Sequence, residues 1–232
     1  MPNRPAICAA LILVSCLAAS PGHAADVSAS AGVVSDYRYR GLSLSDGKPA
    51  VQASISLEQD RGLYGELWGS TIDEPGFAAK VEIDLTAGYA VQLAENLQLD
   101  LSTTYFLYPG EASSNYAEAS VVAEMDLGRT SPRFGVSLAP PQHGTEDEEG
   151  RARSNLYGFV GVSHEIGGLP LTLDAELGWE RGVFDETPGG GTWDWQLGAE
   201  YRRGVVRAGL RYSGSDSAAG KDAIIASLFL DL

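Results

Sequence analysis

The chain has 232 residues, with 31 Asp and Glu against 16 Lys and Arg, a formal net charge of −15, and 28 glycines. An acidic surface repels a phosphate backbone, so nucleic acid is not an expected partner. A hydrophobic content of 44 % with 20 % charged residues fits neither a disordered chain nor a bundle of membrane helices, and leaves a folded, turn-rich domain.

Residues 1–24 carry a short basic start at Arg4, an apolar stretch from Ala6 to Ala19, Pro21, and Gly22-His23-Ala24 ahead of Ala25. That order reads as a secretory signal peptide cleaved after Ala24, since the stretch falls short of the roughly 20 apolar residues that a spanning helix needs. Leu13-Val14-Ser15-Cys16 offers a second processing route, as a lipoprotein box acylated at Cys16. Both cysteines, Cys8 and Cys16, lie in this leader, so the 25–232 domain has no thiol chemistry, and no cofactor or metal site is expected.

From Asp26 the pattern alternates strictly, with Val27, Ala29, Ala31, Val33, Tyr37 and Tyr39 on one face and Ser28, Ser30, Asp36, Arg38 and Arg40 on the other. This is strand periodicity. It recurs in chain order and predicts twelve strands: 26–40, 50–58, 63–71, 79–92, 97–108, 115–127, 132–139, 155–166, 169–181, 192–201, 205–213 and 221–232. The alternation is least clean in 63–71 and 155–166 and in the last strand, where Ile224 and Ile225 take opposite faces. Twelve strands in 232 − 24 = 208 residues leave about 17 per strand and connection, which matches the roughly ten residues of a tilted membrane-crossing strand plus a modest link.

The connections alternate in length. Long ones, 41–49, 72–78, 109–114, 140–154, 182–191 and 214–220, follow the odd strands, and tight ones, 59–62, 93–96, 128–131, 167–168 and 202–204, follow the even strands. This predicts an all-β fold, a transmembrane antiparallel up-and-down β-barrel with short periplasmic turns and longer extracellular loops, located in the cell outer membrane. Outer-membrane lipid and lipopolysaccharide, and the barrel-assembly machinery during insertion, are its implied partners. Tyr37, Tyr39, Tyr105, Tyr108, Tyr116, Trp179, Trp193 and Tyr212 fall near the long-loop end, and Tyr89 and Tyr201 near the short turns, as two interfacial girdles would.

With the apolar face in lipid, the polar face lines a lumen. Its pore-lining candidates are Asp36, Arg38 and Arg40 on the first strand, Glu82, Asp84, Asp100, Glu118 and Glu124 on the fourth to sixth, Asp174, Glu176, Glu180, Asp194 and Glu200 on the ninth and tenth, and Arg207 and Arg211 on the eleventh. Closure through the twelfth strand would gather the arginines on one side against acidic walls. The field across such a lumen suits a narrow, cation-preferring diffusion channel for small hydrophilic solutes or ions, with the arginines at its constriction. A lumen closed by paired charges, leaving a scaffold or a receptor acting through its loops, is the alternative.

No catalytic centre is expected. Ser163 and His164 are adjacent in a strand and point to opposite faces, and no Gly-x-Ser-x-Gly elbow occurs. The charge run Glu146-Asp147-Glu148-Glu149 reads as a solvated loop, with divalent-cation binding beside lipopolysaccharide as the sharper alternative.

The block Ser35-Asp36-Tyr37-Arg38-Tyr39-Arg40-Gly41, continuing Leu42-Ser43-Leu44-Ser45-Asp46-Gly47-Lys48-Pro49-Ala50-Val51-Gln52, resembles the TorF-type porin family of small proteobacterial outer-membrane barrels. Weaker matches are Gly62-Leu63-Tyr64, Trp68-Gly69-Ser70, Val81-Glu82-Ile83-Asp84-Leu85, Ala87-Gly88-Tyr89, Tyr108-Pro109-Gly110, and Tyr116 with Glu118. The resemblance implies a porin-like barrel of undefined substrate. Barrels of this kind end on an aromatic residue, whereas this chain ends Leu228-Phe229-Leu230-Asp231-Leu232, with Phe229 out of phase with its apolar neighbours.

Overall fold

The computed structural model describes residues 25–185 and 190–232. The expected signal peptide, with its alternative processing at Cys16, and part of the 182–191 connection lie outside them. No helix among the described residues is long and apolar enough to cross a membrane.

The period-2 segments form strands β1 (Ala25–Val34), β4 (Ala50–Gln59), β5 (Leu63–Thr71), β6 (Val81–Ala94), β7 (Leu97–Leu107), β8 (Tyr116–Met125), β9 (Thr130–Ala139), β10 (Asn155–Glu165), β11 (Leu171–Gly182), β12 (Thr192–Arg203), β13 (Val206–Ser215) and β14 (Ala223–Asp231). Two short strands, β2 (Arg38–Tyr39) and β3 (Leu42–Ser43), lie between the first two of these. The long strands close into a twelve-stranded antiparallel barrel in the order β1-β14-β13-β12-β11-β10-β9-β8-β7-β6-β5-β4, while β2 and β3 pair only with each other.

Closure is made by β1 against β14, from Ser30 opposite Asp231 to Val34 opposite Ser227. It continues in the reciprocal bonds Ala29 N–H to Leu232 O at 3.0 Å and Leu232 N–H to Ala29 O at 2.7 Å. A closed ladder leaves no strand edge, which is what hydrocarbon requires of a sheet.

Alternation sets the two faces. Val27, Val51, Leu67, Val121, Val136, Leu177, Leu197, Leu210 and Leu228 all point outward and stay exposed, Leu197 at 56 %. Such a continuous apolar belt is an outer surface for lipid. Tyr105, Trp193 and Tyr212 are exposed towards the long loops, and Tyr89 and Tyr201 towards the short turns.

Four aromatics expected in the upper girdle are not there. Tyr37 and Tyr116 are buried, and with Tyr39 and Tyr108 they belong to two apolar clusters under the long loops. Tyr37 packs on Trp68 at 5.4 Å, Tyr39 on Phe106 at 5.9 Å, and Phe106 stacks on Tyr116 at 4.5 Å. In the last strand Leu228 and Leu230 face outward, while Ile225 is buried and the Phe229 ring lies under the Arg207 guanidinium at 4.5 Å. Phe229 is therefore a lumen side chain, which accounts for its phase.

The first strand does not run to residue 40. It leaves the wall after Val34, because Asp36 gathers the following segment about itself: its Oδ2 accepts from Arg38 Nε at 2.6 Å, and its Oδ1 accepts from Ser43 Oγ at 2.5 Å and Ser45 Oγ at 3.1 Å. The β2–β3 hairpin turns on Arg40 and Gly41, at φ 48° and 78°. Positive φ at both turn positions is the mark of a type I′ two-residue turn. A Cβ at Gly41 would meet the Gly214 carbonyl oxygen at 2.4 Å, so the turn also needs glycine for its close approach to β13.

Neighbouring residues with opposite facings test the assignment. Val121→Arg, at mid-height on the lipid face, is expected to lower stability in lipid by about 2–4 kcal/mol, and Val122→Arg, which faces the acidic interior, clearly less. Denaturant titration of the barrel refolded in vesicles reads both, and equal losses would contradict the facing.

Candidate functional site: a charged lumen crossed by a hairpin

The hairpin carries Arg40 into the middle of the barrel. Arg40 Nη2 lies 2.6 Å from Glu118 Oε1 on β8, and Arg40 Nη1 lies 2.6 Å from Glu180 Oε1 on β11. Counted from β1, β8 is five strands away in one direction and β11 four in the other, so both carboxylates belong to the far wall. The guanidinium sits over the Tyr157 ring at 4.0 Å and its own neighbour Tyr39 at 4.7 Å. Asn155 Nδ2, wholly buried, donates to the same Glu180 oxygen at 2.8 Å, fixing its position.

Arg38 stays near the hairpin's own wall, where its Nη1 donates to the carbonyls of Gly41 at 3.0 Å, Ser213 at 3.5 Å and Lys221. The expectation that the arginines share one side is met by Arg38, which lines one cavity with Arg207 and Arg211, and is corrected for Arg40: turning off the wall at Val34 frees Arg40 to bridge the lumen. Both arginines do reach the interior, through a hairpin rather than through strand alternation.

Two cavities flank the hairpin. One, of about 400 Å³, is lined by Asp36, Asp174, Glu200, Arg207 and Arg211. The other, of about 510 Å³, is lined by Arg40, Glu66, Asp84, Glu118, Glu176 and Asp194. Arg38, Trp68, Gln196 and Ser213 border both.

Within these walls most of the remaining candidates take definite partners, whereas Asp84 Oδ1 is buried with no hydrogen-bond partner among the described residues. Glu82, 1 % exposed, accepts from Tyr108 Oη at 3.1 Å, and Asp100 accepts from Tyr64 Oη at 3.0 Å. Glu176 binds Arg133 at 2.8 Å, although Arg133 stands opposite Glu124 in the register. Arg207 binds Asp231 at 2.9 Å and lies 3.6 Å from Glu200, and Arg211 reaches Asp174 at 3.9 Å. Asp194 Oδ1 accepts from Tyr157 Oη at 3.3 Å.

Sequence reasoning missed Tyr157, Asn155, Arg133 and Asp231. Tyr157 and Phe159 are inward-facing aromatics, so β10 breaks the polar-inside code that exposed the other candidates. The Arg40-Gly41 step was the available clue to the hairpin, since a two-residue turn with φ > 0 at both positions favours glycine.

Outside the barrel wall, Lys48 in the first long loop binds Asp73 in the second at 2.7 Å, and Lys80 binds the same carboxylate at 2.9 Å. Asp73 N–H donates to Leu44 O at 2.9 Å, which ties the hairpin's root to this loop. Hydrogen bonds from Lys48 first, and Lys80 next, pull the Asp73 carboxyl down to about 2. The charge run of the fourth long loop is likewise held internally, with Asp147 bound by Arg151 at 2.9 Å and lowered by it, and Arg151 binding Glu149 at 2.7 Å.

The chain matches, over residues 18–224, the family described as a bacterial protein of unknown function (Gcw_chp). It belongs to that family. Among curated proteins none matches this sequence. Of solved structures, the barrel is similar to the NanC porin in its rhombohedral crystal form, with a TM-score of 0.60 at 10 % identity over 88 % of this chain and 97 % of that one. It is also similar to a membrane protein from a study of in-meso crystallization, with a TM-score of 0.57 at 9 % identity over 88 % and 83 % of the two chains. These likenesses give the Gcw_chp chain a fold shared with porin barrels.

A lowered carboxyl contributes stability above its ordinary pKa and loses it as pH falls through the folded value. The Lys48–Asp73–Lys80 tie should therefore persist at pH 5 and release only as pH falls from about 4 towards about 2. The Asp73 side-chain carboxyl carbon shift, followed by NMR across that range, reads the release, and a titration midpoint at or above about 4 would contradict it.

Proposed function

We propose that the protein is an outer-membrane, porin-like channel for passive diffusion of small hydrophilic solutes or ions, preferring cations, and constricted by its first long loop. The observation that carries this reading is the pair of charged cavities on either side of the β2–β3 hairpin, in a barrel whose outer face is apolar. The cavity beside Arg40 is lined by five carboxylates and two arginines, and a net negative, water-accessible lining favours cations. The resemblance of Ser35–Gln52 to TorF-type porins and the fold likeness to the NanC porin support the same reading. Lipid, lipopolysaccharide and the assembly machinery are the partners such a barrel implies. An N-terminal signal peptide would be its export route.

We infer that the protein is non-enzymatic. His143 Nδ1 bonds Glu146 at 2.8 Å and His164 Nδ1 bonds Thr130 at 2.9 Å, and neither bond places a serine nucleophile beside the ring among the described residues. The Arg40 bridge across the lumen favours one alternative, a non-conducting scaffold or loop-mediated receptor.

Planar-bilayer recording of the refolded protein under a KCl gradient separates the two. Discrete conductance steps with a reversal potential of cation sign are expected. Silence from protein shown to be folded by a heat-dependent gel shift would overturn the channel reading in favour of the scaffold.

A further inference from the structure

The Arg40 guanidinium occupies its surroundings as a ligand occupies a site. The wall supplies two carboxylates, Glu118 and Glu180, at 2.6 Å each, and the face of Tyr157 at 4.0 Å. Glu118, Glu180 and Tyr157 are 4 %, 5 % and 6 % exposed. Carboxylates that meet a planar cation edge-on, with an aromatic ring beneath its face, are the groups that recognise guanidinium.

The occupant arrives from elsewhere, on a two-residue turn. Its backbone at Arg40 is left-handed, a conformation that L-residues other than Gly, Asn and Asp seldom adopt. Only the tip of β2–β3 would have to withdraw to vacate the cage, since every other member of it lies on a barrel strand.

The cage also has capacity beyond Arg40. Glu118 Oε2 and Asp194 Oδ2, from side chains more than nine-tenths buried, have no hydrogen-bond partner among the described residues, and both residues line the larger cavity. With Arg40 seated, Glu118 and Glu180 share one arginine, and Asp194, bonded to the Tyr157 that lies under the guanidinium, adds a third carboxylate to the same cavity. With Arg40 withdrawn, Glu118 and Glu180 would lose their shared cation. A site with that charge excess draws a cation from the mouth of the lumen.

We infer that Glu118, Glu180 and Tyr157 form a binding site for a solute bearing a guanidinium group, and that Arg40 is a tethered stand-in which fills this site at rest. The inference deepens the channel reading by naming the class of solute, and it rests on that reading for its physiological sense. A solute of this kind competes with Arg40 for the same two carboxylates and displaces the hairpin tip as it binds. One cage then serves both as the constriction and as the selective site.

Chemical replacement of the tethered group tests the site without relying on conduction. Arg40→Gly keeps the left-handed turn and empties the cage, and Arg40→Asn, which also tolerates that conformation, serves if the glycine variant does not refold. Unfolding midpoints of refolded protein in detergent are measured with methylguanidinium from zero to about ten times its half-saturating concentration. The Arg40→Gly variant should show a saturable rise of about 2–4 °C, with the wild type rising less at equal concentration. Adding Glu118→Gln or Glu180→Gln to Arg40→Gly should weaken the half-saturating concentration at least about tenfold, as the loss of one charge-assisted partner implies. No saturable rise in either Arg40 variant, or an equal response after Glu118→Gln and Glu180→Gln, would overturn the site. A positive result from a barrel silent in bilayers would retain the site and remove the channel, so the two readings fail separately.

Discussion

The interior of this barrel is organised by one buried ion cluster, Arg40 between Glu118 and Glu180. Taking three charges out of water is expensive, and their attraction offsets that cost only with short contacts and further hydrogen bonds. Both conditions hold. The contacts are 2.6 Å, Asn155 supports Glu180, and the Tyr157 ring covers the guanidinium. Because one partner comes from the first loop and the other two from β8 and β11 of the far wall, the cluster holds the hairpin across the lumen and defines the cavities on either side.

The local chemistry that sends the hairpin inward is equally specific. Asp36 accepts from Arg38, Ser43 and Ser45, so the same carboxylate ends β1 and braces both arms of β2–β3. Gly41 lets the turn touch β13, and the Leu44–Asp73 bond with the Lys48–Asp73 pair ties its root to the second loop. The sequence block that resembles TorF-type porins, Ser35 to Gln52, is this hairpin with its anchors. Its conspicuous residues are accounted for by the inward fold rather than by a continued strand.

The twelve wall strands were legible because each has lipid on one face and a polar lumen on the other, the condition under which period 2 is cleanest. Where the code blurs, the structure gives the reason. β5 and β10 put Tyr64, Trp68, Tyr157 and Phe159 inward, and β14 does the same with Ile225 and Phe229. The course of residues 35–45 was not legible, because a short hairpin alternates as a strand does, so Asp36, Arg38 and Arg40 against Tyr37 and Tyr39 simply prolonged the pattern. The acidic walls were visible in composition, while the pairing of Arg40 depends on which strands face each other across the barrel, and that of Arg133 and Arg207 on the stagger between neighbouring strands of one wall.

Native-state hydrogen exchange of the refolded protein tests the central claim most directly, since it reports local opening of the hairpin separately from the wall. The Tyr39, Leu42 and Leu44 amides should be protected in the wild type, and in the Glu118→Gln, Glu180→Gln double variant they should exchange at least about tenfold faster while the β6–β8 amides keep their protection. Hairpin amides whose protection is unchanged in that variant would contradict the account, because the hairpin would then be held across the lumen by something other than the Arg40 cluster.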